Sequence, residues 1–474
     1  IDTEGLRYQI PQTLRQAQLS PQAPWWMQAC RDELDSFDTH GCYDMVPRQP
    51  HMKVLPTHWV FAPKIDGNGV IYRFKARLVV NGNRQEFGVD VNETFAPTAA
   101  AAARRALLSM AAALDLEIHQ ADIKTAFLHG DLDEEVYVMQ PPGFGNGNPN
   151  TVWRLKKSVY GLRQAPRCWW EKLTEVLDGM GFKPTASDPS IYVNKEDPDN
   201  WVFLGVFVDD LAIVGSDVER VTKFKEDLSK VFEIHDLGEI KDFLGASIER
   251  DRENRVLYMR NTVKIVEYVE KFGLSGETRP VRVPLSPSFA VTGAPLTEVP
   301  GTQFEISHVF GSGTMLEAGN RYGELVGSLL YIANSTRPDI STAASILSQY
   351  RAAPTTAHWN EALRVLRYLK DTCEYALKLG GTGPVLEAYV DADYAGCLDT
   401  RLSRSGFLVK VLGGVVSWCS TKQKTIAQST VEAEFQAACL AINEVNWLRK
   451  FLGELGLKAE VVKLHCDNRG CLSH

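Results

Sequence analysis

The sequence predicts an α+β chain of several domains, and three observations carry that expectation. Two alternating runs, WVFAPKI and VIYRFKARLVV, flank Asp66-Gly67-Asn68-Gly69, the signature of a β-hairpin. Two nearly continuous apolar runs in WVFLGVFVDDLAIVG pinch around Asp209-Asp210, as in a buried hairpin with acid at its tip. From residue 385 the order becomes strand, strand, strand, helix, strand, which marks a separate α/β unit. At 474 residues, 44% hydrophobic and 23% charged, the chain is long enough for about two to four cores.

The elements follow in order along the chain. Residues 20–45 read as a helix with a Trp25-Trp26 pair, and the basic hairpin comes next. An alanine-rich helix is expected over about 98–115. LEIHQADIKTAF then reads as a strand whose alternate positions Leu116, Ile118, Gln120 and Asp122 share one face. Residues 141–150, PPGFGNGNPN, form a loop, and 165–180 form a helix that leads to the apolar hairpin. Helical and strand patterns alternate over 218–275, residues 286–320 read as a Pro/Gly/Ser/Thr-rich linker, and helices fill 321–380. In the last unit, 384–474, the long helix from about 430 is marked by a capping box of Ser429 and Glu432. Val431, Phe435, Ala438, Ile442 and Val445 recur along it at helical spacing.

Composition excludes some classes. No apolar run of about 18 residues exists, and the first residues lack the basic and apolar regions of a secretory leader. The chain starts at Ile1 and stops on a polar loop at His474, so both ends read as cut from a longer product. The nine cysteines contain no C-x-x-C pair. Cys466 and Cys471 have no partner pair at zinc-finger spacing, so free thiols are expected. Net charge is -8, which argues against a wholly basic nucleic-acid coat, but the charge is unevenly distributed. Lys53, Lys64, Arg73, Lys75, Arg77 and Arg84 stand against Asp66 alone over 53–84. Arg154, Lys156, Lys157, Arg163, Arg167 and Lys172 stand against Glu171 over 151–172. Each cluster is either a solvated basic face or a track for phosphates.

Asp209 and Asp210 sit where two apolar strands meet, a costly place for two like charges without a neutralising cation. Taken alone, the pair also fits turn chemistry, and Asp122 also fits a helix N-cap. Carboxylates at the ends of rigid strands are what a cage for two hard cations requires.

The ensemble narrows these alternatives. QADIKTAF (120–127), YGLRQAP (160–166) and FVDD (207–210), with KARLV near 75, ETFAP at 93, EEVYVMQPPGF at 134, DLGEIKDFLG at 236 and LVGSLLYIANSTRPDI at 325, resemble the Pol polyproteins of copia-type LTR retrotransposons. The resemblance implies a right-hand polymerase over 1–285, with fingers, palm and thumb, followed by the 286–320 linker, the 321–380 helical connection and a ribonuclease H-like α/β domain over 384–474. It implies RNA- and DNA-templated DNA synthesis, with Asp122, Asp209 and Asp210 as catalytic acids holding two Mg2+ ions or Mn2+. Lys64 and Arg77 match the triphosphate-binding cations, and Gln164 matches the glutamine beside the incoming nucleotide. Phe127 falls where an aromatic ring excludes a ribose 2′-hydroxyl, and Phe243-Leu244-Gly245 matches the hairpin that grips the primer end.

YVDADYAG, STVEAEFQA and HCDNRG resemble the family's RNase H, with Asp391, Glu434 and Asp467 as the matching metal-site acids and Asp393 as a near neighbour. In relatives that domain runs on past the segment present here, so the resemblance implies an incomplete, marginal unit of a kind that cleaves RNA in RNA-DNA hybrids. The implied partners are RNA template, DNA primer, RNA-DNA hybrid, dNTPs and other parts of the Gag and Pol polyprotein, with no membrane, in cytoplasmic virus-like particles or the nucleus. Ala99–Ala103 departs from the mixed polar stretch usual at that place, which puts a template contact in doubt. The departure, with the missing C-terminus, keeps open a decayed or co-opted remnant that binds nucleic acid without catalysis.

Overall fold

The structure is a computed structural model that describes residues 10–65, 71–194, 201–276, 279–286, 289, 315–317, 319–397 and 400–473. The Asp66-Gly67-Asn68-Gly69 turn and most of the 286–320 linker lie outside the described residues. Mixed α/β architecture is observed, as the patterning requires.

At the centre is a six-stranded antiparallel sheet. Its order is Ile234–Glu239, Glu117–Ile123, Asp210–Gly215, Val202–Phe207, Ile191–Asn194 and Phe182–Pro184. The near-continuous apolar strands arise because both faces are covered. Val202, Leu204, Leu211 and Ile213 point to the side of helices Ala165–Gly179 and Val218–Ser229, against Trp169, Leu173, Phe224 and Leu228. Phe203, Ala212 and Val214 point the other way, toward the alanine-rich helix Ala101–Ala113. The two-residue period of the strands thus sorts one apolar run into two cores.

The predicted basic hairpin is present as Thr57–Ile65 paired with Ile71–Val80. Helix Ala23–Thr39 buries Trp26 against Phe61 and Phe74 of that hairpin. The helix ends earlier than expected, and the strand Tyr43–Pro47 takes the rest, joining Thr151–Lys157, Asp131–Val138 and Val54–Leu55 in a four-stranded sheet.

The alanine-rich helix is the hub of the molecule. Its small side chains let it lie between the six-stranded sheet on one side and the strands Leu377–Gly380 and Gly414–Lys422 on the other. Ser109 Oγ donates to Val411 O at 2.7 Å and accepts from Gly380 N at 2.8 Å. A Cβ on Gly414 would meet Ser109 Oγ at 2.6 Å, so only glycine permits this approach. Arg105, 5% exposed, donates to Val416 O, Asn334 O and Ser335 O and lies 4.0 Å above the Trp418 ring. The run that looked like a lost polar contact is a packing surface.

Residues 321–380 carry helices Tyr322–Ser335, Ser341–Ser348 and Thr356–Asp371. The stretch then closes with the strand Leu377–Gly380, which completes the sheet of Asp242–Phe243, Ala246–Asp251 and Val256–Arg260. In the last unit, Gly414–Lys422, Arg404–Val411 and Glu387–Asp393 pair antiparallel, and Lys463–His465 adds in parallel after helix Thr430–Glu454. Ser429 caps that helix by accepting from Glu432 N. The Glu432 carboxylate accepts from Gln428 N at 2.7 Å instead of closing the expected box on Ser429. The expected apolar stripe is also rotated. Ala433, Ala437, Ala441, Leu448 and Leu452 are buried, whereas Phe435 and Ile442 are 50% and 43% exposed. Alanines face the sheet because it lies too close for larger side chains.

Candidate active site

Asp122 lies one residue from the end of the strand Glu117–Ile123, and its neighbours across the sheet are Asp210 on one side and His235 on the other. Phe207 pairs with Asp210, so Val208 and Asp209 form the hairpin turn. Val208 has φ +60°, an unfavourable backbone for a β-branched residue. Two bonds hold it there. The Trp169 indole N–H donates to Val208 O at 2.5 Å, and Ile123 N donates to Asp209 O at 2.9 Å. The strained turn is therefore tied both to the helix beneath it and to the strand that carries Asp122.

Burial, then the charges of Asp209 and Asp122, push the Asp210 carboxyl up to about 6, against a bond accepted from Gln120. Asp122 is also raised, first by burial and then by Asp209, and Lys75, His235 and Lys64 oppose the shift. Carboxylates that repel one another at adjoining strand ends are a donor set that fits hard cations. Among the described residues, one group of three His, Cys, Asp or Glu side chains has its ligand atoms all within 4.8 Å of one another. That group is Glu434, Cys466 and Asp467, so the three strand-end aspartates are more widely spaced.

Asp122 and Asp209 open onto a cleft of about 490 Å3. Arg73, Lys75, Tyr160, His235 and the face of helix Ala23–Thr39 with Asp32, Glu33 and Ser36 line the rest of it. Arg73, Lys75 and Arg77 alternate on one face of the strand Ile71–Val80, a period-two signal that reveals Arg73 and Lys75 beside the expected Arg77. Lys75 is lowered first by burial and then by Arg77, with Glu33 opposing. The buried Glu33 is pushed up to about 7, chiefly by burial, and accepts from Leu78 N at 3.2 Å. Arg77 lies 5.0 Å above the Tyr160 ring, and Lys64 is exposed near the hairpin end. No salt bridge among the described residues engages Lys64, Arg73, Lys75 or Arg77. The 151–172 cluster, by contrast, is largely paired, with Arg154 to Glu135, Lys156 to Asp44, Lys157 to Asp131 and Arg167 to Asp133.

Tyr160 is held because Val80 N donates to its carbonyl at 2.8 Å, and Gly161 follows at φ +94°. A Cβ there would meet Val80 O at 2.1 Å, so the motif requires glycine at this place. Phe127 packs edge-on against Tyr160 at 5.0 Å, which sets its ring beside the cleft. Gln164 is not brought to the cleft surface. It is 1% exposed, donates to Asp90 O and Glu134 and accepts from Gln85, because the buried amide finds its partners within the protein.

Phe243 packs edge-on against Phe207 at 5.4 Å, so the Phe243-Leu244-Gly245 turn touches the strand that carries the acidic hairpin. Leu244 and Gly245 have φ +51° and +80°. Tyr331 Oη donates to Leu244 O at 3.1 Å and Asn261 Nδ2 donates to Gly245 O at 2.8 Å, two holders that no local motif announces.

In the last unit Glu434, 6% exposed, and Asp467 come together as expected, with Cys466 between them in sequence space and in the same cluster. The Glu434 carboxyl is raised, first by burial and then by Asp391 and Asp467, against a bond from the Ala392 amide. Asp391 and Asp393 stand on the exposed face of their strand, and both line a shallow cleft with Arg404. Asp391 is thus near Glu434 but outside the close trio.

Residues 40–287 match the family model described as reverse transcriptase (RNA-dependent DNA polymerase). The chain is 38% identical over 467 residues to the retrovirus-related Pol polyprotein from transposon TNT 1-94 of Nicotiana tabacum, covering 98% of this chain and 34% of that one. It is 35% identical over 450 residues to that from transposon RE2 of Arabidopsis thaliana, covering 94% and 29%. It is 32% identical over 327 residues to the putative transposon Ty5-1 protein of Saccharomyces cerevisiae, covering 68% of this chain and 100% of that one. The chain spans about a third of the length of the two plant polyproteins.

Proposed function

The chain belongs to the reverse transcriptase (RNA-dependent DNA polymerase) family, with the Pol polyproteins of copia-type retrotransposons, and from that premise we propose that it carries out RNA- and DNA-templated DNA synthesis. The observation that carries this reading is the meeting of Asp122 with the Asp209-Asp210 hairpin at the floor of a cleft lined by Arg73 and Lys75. The six-stranded sheet is the palm, the Thr57–Ile65 and Ile71–Val80 hairpin belongs to the fingers, and the segment after the palm is the thumb.

Asp122, Asp209 and Asp210 would hold two Mg2+ ions, or Mn2+ in their place. Bound there, such ions would supply Lewis-acid help in ionising the primer 3′-hydroxyl and counter-charge for the departing diphosphate. The protein's own groups do the rest. Lys64, Arg73, Lys75 and Arg77 face the triphosphate, with arginine giving planar paired contacts and lysine a point charge. Glu33, when ionised, offsets part of the repulsion between Lys75 and Arg77. Phe127, braced by Tyr160, lies beneath the deoxyribose and leaves no room for a 2′-hydroxyl. Gln164, buried on Gln85 and Asp90, braces the interior beneath the motif that carries Tyr160, and Phe243-Leu244-Gly245 supports the primer end.

The same reading makes residues 384–474 an RNase H-like unit that cuts RNA in a hybrid, with Asp391, Glu434 and Asp467 as its metal-binding acids. The strand order and the approach of Glu434 to Asp467 support it. The test is extension of a DNA primer on an RNA template with Mg2+, followed by cleavage of a labelled hybrid. Extension without cleavage would retain the polymerase and remove the hydrolase. Absence of extension would remove the polymerase.

A further inference from the structure

Cys466 and Cys471, which have no zinc-finger partners in the sequence, acquire partners in the fold. The Cys466 thiol lies 3.9 Å from Glu434 Oε2, and ligand atoms of Cys466, Glu434 and Asp467 are all within 4.8 Å of one another. Cys471 follows five residues after Cys466, on the same short segment, and its thiol is raised by burial and by the neighbouring Cys466. Its position is set by Asn468 Oδ1, which accepts from Cys471 N at 3.0 Å. A Cβ on Gly470 would meet Val431 Cγ2 at 2.6 Å, so the turn carrying both thiols is pressed against the start of helix Thr430–Glu454, where Glu434 resides.

One thiol and two carboxylates already meet at a strand end and a helix, and Cys471 on the adjoining turn is the nearby second thiol that would complete the donor set of a tetrahedral soft-metal centre. Zinc binds sulfur at about 2.3 Å and carboxylate oxygen at about 2.0–2.2 Å, so Cys466, Glu434 and Asp467, whose ligand atoms lie within 4.8 Å of one another, are spaced to share one ion. Mg2+ takes oxygen donors and gives up its water reluctantly, and thiolate adds nothing to its binding. We propose that Cys466, Cys471, Glu434 and Asp467 form a binding site for a thiophilic divalent cation, with Zn2+ as its ligand.

The consequence rests on the hydrolase reading above. A Zn2+ ion held by the thiols occupies Glu434 and Asp467, two of the acids assigned to hybrid cleavage. Zn2+ at low concentration then stops cleavage while the primer-extension site, which has no cysteine among its acids, continues to work. Binding of the cation releases the thiol protons to solvent.

The test uses the full chain, reduced and stripped with a chelator, titrated with Co2+ and then with Zn2+. The expected result is a thiolate-to-cobalt charge-transfer band in the near ultraviolet that one equivalent of Zn2+ abolishes. Cys466→Ser loses the band and binds Zn2+ at least about 100-fold more weakly, the effect of one ligand in a four-ligand site. Cys471→Ser weakens the band, Cys373→Ser retains it, and circular dichroism checks that each variant is folded. An unchanged band in Cys466→Ser, or no band in the parent chain, overturns the proposal. This readout does not use hybrid cleavage, so failure of the hydrolase reading leaves it intact. A Zn2+ block of cleavage that is absent in Cys466→Ser supports the regulatory consequence, and an equal block in both overturns it.

Discussion

Asp210 pairs directly with Asp122 across the antiparallel sheet, although 87 residues separate Asp122 from the adjoining Asp209. The hairpin turn beside them is held in a strained backbone by Trp169 and Ile123. The protein thus builds a rigid, electrostatically unfavourable spot and surrounds it with cations, which is the arrangement of a site whose charge is completed by what it binds.

The raised Asp210 carboxyl gives this spot a pH signature. Its folded pKa of about 6 lies above the unfolded value, so the fold binds the proton more tightly and metal-free stability falls as pH rises through that window. Asp210→Asn should therefore stabilise the metal-free protein at pH 7.5 by on the order of 1 kcal/mol, after allowance for solvent screening. The gain should vanish near pH 4. Denaturant unfolding at the two pH values checks this. Polymerisation needs the ionised form, so extension at limiting Mg2+ should decline as pH falls through about 6.

Phe127 is braced edge-on by Tyr160 at 5.0 Å and is half-buried, packed against the edges of two cores. Phe127→Ala should relax the preference for dNTP over rNTP by about 10- to 100-fold, with a smaller effect on dNTP incorporation. Single-nucleotide incorporation with both substrates measures it, and an unchanged preference would remove the gate.

Arg105 ties the alanine-rich helix to carbonyls as far as 311 residues away. Arg105→Ala leaves three carbonyls without that donor and should cost about 3 kcal/mol. Arg105→Lys should recover less than half of the loss because it lacks the planar fork. Chemical denaturation of the three proteins gives the comparison.

Tyr331 holds the Leu244 carbonyl from the helix Tyr322–Ser335, outside the six-stranded sheet. Tyr331→Phe should raise KM for the primer by up to about tenfold, the net worth of one hydrogen bond, while kcat changes little. Steady-state kinetics with varied primer separates the two.

The acidic hairpin was legible because apolar strands buried on both faces leave nowhere bland for two adjacent aspartates. The cleft cations were half legible. Arg77 stood out by motif, while Arg73 and Lys75 needed only the two-residue period of their strand. Other features were invisible for a physical reason, namely that they depend on long-range packing. Ala99–Ala103 reads in the sequence as a departure, but Ala99, Ala102 and Ala103 are buried in the core between two sheets. The helix from Thr430 was read along Phe435 and Ile442, but the face that docks is the one with the smallest side chains. Gln164 carries a recognisable motif, yet its amide is spent on Gln85, Asp90 and Glu134 inside the protein.

The most direct test of the central claim is primer extension on an RNA template with Mg2+, comparing the chain with Asp209→Asn at equal folded concentration. Removing one carboxylate while keeping its shape should lower extension by at least about 1,000-fold, with the unfolding midpoint unchanged or raised. Extension within about tenfold of the parent chain would contradict the account, since the acids at the Asp122–Asp210 strand ends would then not carry the chemistry.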